Sequence, residues 1–138
     1  MSALPARNMK YGVLVTREFA EYTEQHLPAL VEELTRLGCM PHNIIVKDIP
    51  TVHGLLMGTE FFAEYTDVDA VIVLAENDNS PEYTAMLYGV TKLQISWNMP
   101  VLIGDCRVAS EVADMVAMQN EMEAAAPEHI SPDKKSIN

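Results

Sequence analysis

Glu76, Asn77, Asp78, Asn79, Ser80, Glu82 and Tyr83 follow one another in a run interrupted by Pro81, and together they offer carboxylates, amides and hydroxyls. The run begins where Val71, Ile72, Val73 and Leu74 end, a stretch without polar alternation that reads as a strand covered on both faces. A polar loop at the carboxyl end of such a strand is where open α/β sheets hold their ligands. Glu82 can transfer protons if burial raises its affinity for a proton toward neutrality, and the Asn79 and Ser80 amides can donate to a ligand. His53, just after an Ile-Pro turn, is a candidate general base, although a hydrogen-bonded loop histidine is the commoner use of such a residue. Glu76, Asp78, Glu82 and His53 could together hold a hard cation, but no EF-hand or His-x-x-x-His spacing supports this. Solvated loop carboxylates are the favoured reading, so no metal and no cofactor is expected. Cys106 follows a strand as well, yet nothing beside it marks an activated thiol, and a small buried loop residue is expected there.

The elements that must position these groups alternate between two periods. Residues 11–16 (YGVLVT), 43–48, 69–74 and 100–104 (PVLIG) read as strands. Between them, Leu27, Leu30, Val31, Leu34 and Leu37 recur at helical spacing over residues 20–37, with Gly38 placed to end the helix in a left-handed conformation. Pro28 requires that helix to start late or to bend. Residues 54–65 read as a second helix with Leu55, Met57, Phe61, Phe62 and Tyr65 toward the sheet. A third follows Pro81 with Tyr83, Met86, Leu87, Val90, Leu93 and Trp97, and a fourth is capped by Ser110 and carries Val112, Met115, Val116, Met118 and Met122 to about residue 126. The alternation predicts an α/β three-layer sandwich with a four-stranded parallel sheet, flavodoxin-like in type. Its exit loops, residues 17–20, 48–53, 76–83 and 105–109, gather on one edge. Residues 1–10 read as an N-terminal arm, 11–126 as one domain, and 127–138 as a mobile tail.

Twenty Asp and Glu against nine Lys and Arg give a formal charge of -11, which disfavours nucleic acid and anionic membrane as partners. No apolar run approaches the roughly 18 residues of a membrane span. Two cysteines far apart signal neither a disulfide framework nor a zinc site, and a cytoplasmic location is expected. Phe61, Phe62, Tyr65, Trp97 and the methionines read as core or subunit packing.

With these elements placed, the chain resembles the lumazine synthase family, the penultimate enzymes of riboflavin biosynthesis. The likeness rests on YGVLVTREF, on Ile49-Pro50 followed by a helix and then VDAVIVLA, on SPEY, on MPVLIG and on a final EAAA, and it runs from about Tyr11 to Ala126. The resemblance implies a transferase fold assembled as a pentamer or larger shell, with sites shared between neighbouring subunits.

Carried over position by position, it assigns ligand-binding roles to Phe19, Thr51, Val52, Glu76, Asn77, Asn79, Ser80, Tyr83 and Ile103. Catalytic roles fall to Glu82 and His53. In the family an aromatic residue that stacks on the pyrimidine stands where this chain has Glu18, and Phe19 beside it can substitute. Thr51, Val52, His53 and Gly54 occupy the place of the family's Gly-Ala-Phe-Glu. Asp78 to Tyr83 match its Gly-Glu-Thr-Pro-His-Phe, so Glu82 stands for the catalytic histidine. The family's phosphate-holding Arg and Lys fall near Val116 and Asn120, and Ile103 replaces an aromatic residue. These exchanges argue against the family's ordinary reaction, because Glu76, Asp78, Glu82 and Asp105 face a substrate phosphate that needs cationic partners. The expectation is therefore a divergent, oligomeric relative that binds a heterocyclic or ribityl-like small molecule at a subunit interface. An active lumazine synthase and a non-catalytic oligomeric scaffold are the alternatives.

Overall fold

A computed structural model describes residues 6–125. The elements run β1 Tyr11–Thr16, α1 Ala20–Arg36, β2 Ile44–Ile49, α2 Leu55–Tyr65, β3 Ala70–Val73, α3 Pro81–Trp97, β4 Val101–Ile103 and α4 Ala109–Ala124. The four strands form one sheet in the order β2-β1-β3-β4, and every pairing is parallel. The expected three-layer α/β architecture is therefore present, with one helix pair on each face.

Alternation along the strands sorts the core into two layers. Tyr11, Val13 and Val15 of β1, with Ala70, Ile72 and Leu74, pack against Leu30 and Leu34 of α1 and Val112, Ala113 and Val116 of α4. Leu14, Val71 and Val73 point the other way, onto Leu55 and Phe62 of α2 and Met86 and Val90 of α3. Successive strand side chains leave opposite faces, so a strand between two helix layers must be apolar throughout. The edge strand β2 escapes this requirement, and Val46, Lys47 and Asp48 are exposed.

The helix ends follow from local chemistry. Gly38 takes φ 107° after α1; its N–H donates to Thr35 O at 2.9 Å, and the Cys39 N–H donates to Leu34 O at 3.0 Å. These two bonds close the last turn as a left-handed glycine cap should. Pro28 lies inside a helix that neither starts late nor stops, on an exposed position where its missing donor is replaced by no buried cost. Ser80 caps α3 by accepting the Tyr83 N–H at 3.0 Å, with Pro81 in the first turn.

Some expected faces and bounds differ. In α2 the inward residues are Leu55, Gly58, Thr59 and Phe62, while Met57 (76% exposed), Phe61 (44%) and Tyr65 (71%) point away from the sheet. The helical period through Leu55 and Phe62 demands this, because Gly58 and Thr59 lie on the same line and the three large residues do not. Leu87, Trp97, Met118 and Met122 are likewise exposed. Ser110 is not a cap: α4 begins at Ala109, after a 3₁₀ turn Cys106–Val108 that Asp105 caps instead. Of the arm expected over residues 1–10, residues 6–10 are pinned. The Ala6 N–H donates to Leu37 O at 2.9 Å, the Tyr11 hydroxyl donates to Met9 Sδ at 3.1 Å, and the Lys10 N–H donates to Asp69 Oδ2 at 2.8 Å. Residues 1–5, Ala126 and the expected tail, 127–138, lie outside the described residues.

Gly12 lets α2 lie close to the sheet. A Cβ there would stand 2.8 Å from three ring carbons of the fully buried Phe62. Gly12→Ala should cost about 1–3 kcal/mol of stability in urea unfolding. Combining it with Phe62→Leu should recover part of that loss, whereas additive losses would mean that the two sites do not touch.

Asp105 is the buried charged group at the carboxyl edge. It accepts the Arg107 N–H at 2.9 Å and the Arg107 guanidinium at 2.8 and 2.9 Å. The Arg107 side chain and its backbone N–H hold the Asp105 carboxyl down from 3.8 to about 2. A carboxyl depressed in the folded state stabilises above its unfolded value and loses that contribution as pH falls toward the folded one. Wild type should therefore exceed Asp105→Asn in stability by roughly 1 kcal/mol near pH 6, a modest figure because Arg107 is 86% exposed. The gap should close between about pH 4 and pH 2. A gap independent of pH would show that the charge plays no part.

Candidate functional site

Because all four strands run the same way, their exits meet at one edge. Three of these exits carry a 3₁₀ turn, Arg17–Phe19, Val52–Gly54 and Cys106–Val108, and the fourth is the extended loop from β3 into α3. Buried polar side chains anchor two of the turns. Thr16, 1% exposed, accepts the Glu18 N–H at 3.2 Å, and Asp105 does the same for Arg107. A short polar side chain that replaces a missing backbone partner fixes the direction in which the chain leaves the sheet.

A groove of about 350 Å³ opens between the Val52–Gly54 turn and the start of α3. Val52, Leu56, Pro81, Ala85 and Met86 form its apolar surface, and His53 and Glu82 supply its polar groups. The structure thus brings together the two residues expected to move protons, with Val52 between them and the core. Both His53 and Glu82 are exposed in the single protomer, while Val52 and Met86 are buried. The burial that proton transfer by Glu82 requires is not supplied by this chain alone.

The remaining candidates surround the groove unequally. Phe19, Tyr83 and Ile103 are half-buried and pack on the core layer beneath α2 and α3, so their rings and methyls border the edge from inside. Burial pushes the Tyr83 hydroxyl up. Thr51 is exposed and extended, and its carbonyl accepts the Gly54 N–H at 3.0 Å. Glu18 reaches across the edge to accept the Val52 N–H at 3.3 Å, which ties the first exit to the second. Glu76, Asn77 and Asn79 are exposed.

The loop before α3 is bound up with itself. The Asn77 side chain accepts the Asn79 N–H at 3.0 Å, and the Asp78 carboxylate accepts the Ser80 N–H at 3.1 Å. Those contacts from Ser80 lower the Asp78 carboxyl below its ordinary range. Asn79 has φ 60°, a left-handed conformation that Asn tolerates better than most residues. Among the described residues, no group of three or more His, Cys, Asp or Glu side chains could hold a metal ion, so Glu76, Asp78, Glu82 and His53 do not converge as one. No helix in the same range is long and apolar enough to cross a membrane.

On the other face of the same edge, α1 adds groups that the sequence analysis did not single out. His26 is half-buried, with its ring 4.2 Å from that of Tyr22. Burial raises the Tyr22 hydroxyl first, and the charges of Asp105 and Glu76 add to it. The i, i+4 spacing of Tyr22 and His26 was the available signal. That spacing faces the carboxyl edge because the turn after β4 packs on α1. Cys106 is half-buried in that turn, and both cysteines are free. Val116 is buried in the core rather than turned toward any ligand, and Asn120 lies toward the opposite end of α4, in a hollow with Asp69 and Trp97.

No family model matches the chain. Individual proteins do. A protein of Parabacteroides distasonis named 6,7-dimethyl-8-ribityllumazine synthase is 30% identical over 105 residues, covering 72% of this chain and 66% of that relative. The protein of that name from Bacteroides fragilis is 29% identical over 102 residues, covering 70% and 71%. One from Porphyromonas gingivalis is 25% identical over 104 residues. The matches thus span about two thirds of the length of these relatives. Taken with a four-stranded parallel sheet whose exits form a polar-rimmed groove at one edge, they place the chain in the lumazine synthase family, as a divergent member.

Proposed function

We propose that the protein is an oligomeric lumazine synthase-like protein that binds a heterocyclic or ribityl-like small molecule where two subunits meet, and that the family's ordinary condensation is lost or slow. The groove between the Val52–Gly54 turn and α3 carries this reading: an apolar floor suits a flat ring, and Glu82 and His53 at its rim suit hydrogen-bonding substituents. Phe19 and Ile103 extend the apolar surface, and Thr51, Glu76, Asn77, Asn79, Ser80 and Tyr83 complete the rim. Proton transfer, where the crevice performs it, falls to Glu82 and His53 once a neighbouring subunit covers them. Neither a metal nor a cofactor is part of the proposal.

Self-association is supported by the outward apolar surface. Met57, Phe61 and Tyr65 on α2, Leu87, Tyr88 and Ile95 on α3, and Met118 and Met122 on α4 are all more than two fifths exposed, large apolar side chains of the kind that subunit interfaces cover. A closed ring such as a pentamer, or a larger shell, would bury it. With its acidic charge and two free cysteines, the chain fits a cytoplasmic location, with neither nucleic acid nor membrane as partner.

Three measurements test these statements. Light scattering on the purified protein should give a mass several times the 15.3 kDa of the chain, and a stable monomer would contradict the shared site. Glu82→Gln should weaken binding of a ribityl-bearing heterocycle by about tenfold, the worth of one charge-assisted hydrogen bond, with the fold unchanged by circular dichroism. Unchanged affinity would remove Glu82 from the site. Incubation with the pyrimidine amine and butanone phosphate used by the family should yield little product. Turnover at an ordinary enzymatic rate, above about 1 per second, would overturn the loss of activity.

A further inference from the structure

The start of α3 borders the groove, and by its geometry it should be the anion site of this edge. A helix N-terminus turns free N–H groups and a partial positive charge toward whatever lies before it. Here the donors are already taken. Pro81 has no N–H, and the Ser80 side chain takes that of Tyr83 at 3.0 Å. The Ser80 carbonyl takes that of Thr84 at 3.2 Å. Ahead of the helix, Asn77 takes the N–H of Asn79 and Asp78 takes that of Ser80. The donor left over from these contacts is the N–H of Glu82, whose own side chain is a carboxylate.

The side-chain cations are committed as well. Arg17 Nε lies 3.1 Å from Asp48 Oδ2, and the Arg107 guanidinium is doubly bonded to Asp105. Glu18, Glu76, Asp78 and Glu82 then remain around the crevice, and Glu18 is fastened to the Val52 amide. An incoming phosphate would have to displace a resident carboxylate from its amide or its arginine. It would gain no charge in exchange at the Ser80 amide or at either arginine, because those contacts are already charge-assisted.

Building on the ligand crevice proposed above, we infer that the chain fills its own anion site and that the crevice selects uncharged, phosphate-free ligands over their phosphate esters. Asp78 occupies the place of the anion at the head of α3, and the apolar floor of Val52, Leu56, Ala85 and Met86 supplies the attraction instead. Selection against the phosphate then comes from what the site repels as much as from what it holds.

Riboflavin and riboflavin 5′-phosphate differ by the phosphate alone, so their dissociation constants, measured by quenching of flavin fluorescence on the assembled protein, read the inference directly. The expected result is tighter binding of riboflavin by at least about tenfold, a gap that shrinks with added sodium chloride. Millimolar inorganic phosphate should not displace it. The double variant Asn77→Gly with Asp78→Gly frees both amides, leaves the Ser80 cap in place, and should narrow the gap several-fold. Equal affinities, tighter binding of the phosphate ester or displacement by inorganic phosphate would overturn the inference while leaving the crevice itself as the binding site. A gap unchanged in the double variant would overturn the part assigned to the α3 loop. If neither flavin binds, the crevice reading fails and this inference falls with it.

Discussion

The close approach of α2 to β1 is the contact on which the site depends. β1 is paired on both sides, to β2 and β3, and Gly12, the second residue of the strand, leaves room for the Phe62 ring to lie flat against the sheet. That contact sets the depth of α2, and α2 in turn carries the Val52–Gly54 turn at its head. This turn and the start of α3 form the two walls of the groove. A larger residue at position 12 would lift the helix, and with it one wall of the crevice.

Electrostatics narrow what such a crevice can do. A chain with a formal charge of -11 carries its acidic surplus onto the edge where the family resemblance implies a phosphate. The local chemistry makes this surplus structural rather than incidental. Asp78 and Asp105 cap the backbone, Glu18 fastens one exit to the next, and Asp48 engages Arg17. Asp48, Asp78, Asp105 and Glu18 thus each have a partner within the chain, while Glu82 stands exposed at the rim of the groove.

Much of the fold was legible because strand and helix periods are strong signals. The all-apolar run from Val71 to Leu74 required cover on both faces, and Gly38 required a left-handed turn; both are present. The inward face of α2 is set by period rather than by side-chain size: Gly58 and Thr59 lie in line with Leu55 and Phe62, and the larger Met57, Phe61 and Tyr65 do not. The start of α4 was misplaced because Asp105 caps a 3₁₀ turn first, a device with no strong sequence signature. At the site, the pairing of His53 with Glu82 across one groove followed from the exits sharing an edge. The contacts of Glu18 with Val52 and of Tyr22 with His26 depend on the angle at which the chain leaves each strand. A linear sequence does not state that angle.

A crystal of the assembled protein grown with riboflavin tests the whole picture most directly. The ring should lie in the groove between Val52–His53 and Pro81–Met86, within hydrogen-bonding distance of Glu82 or His53, with a neighbouring subunit closing the open side. A ring bound away from that edge, or a groove left facing solvent in a monomer, would contradict the assignment of site and assembly together.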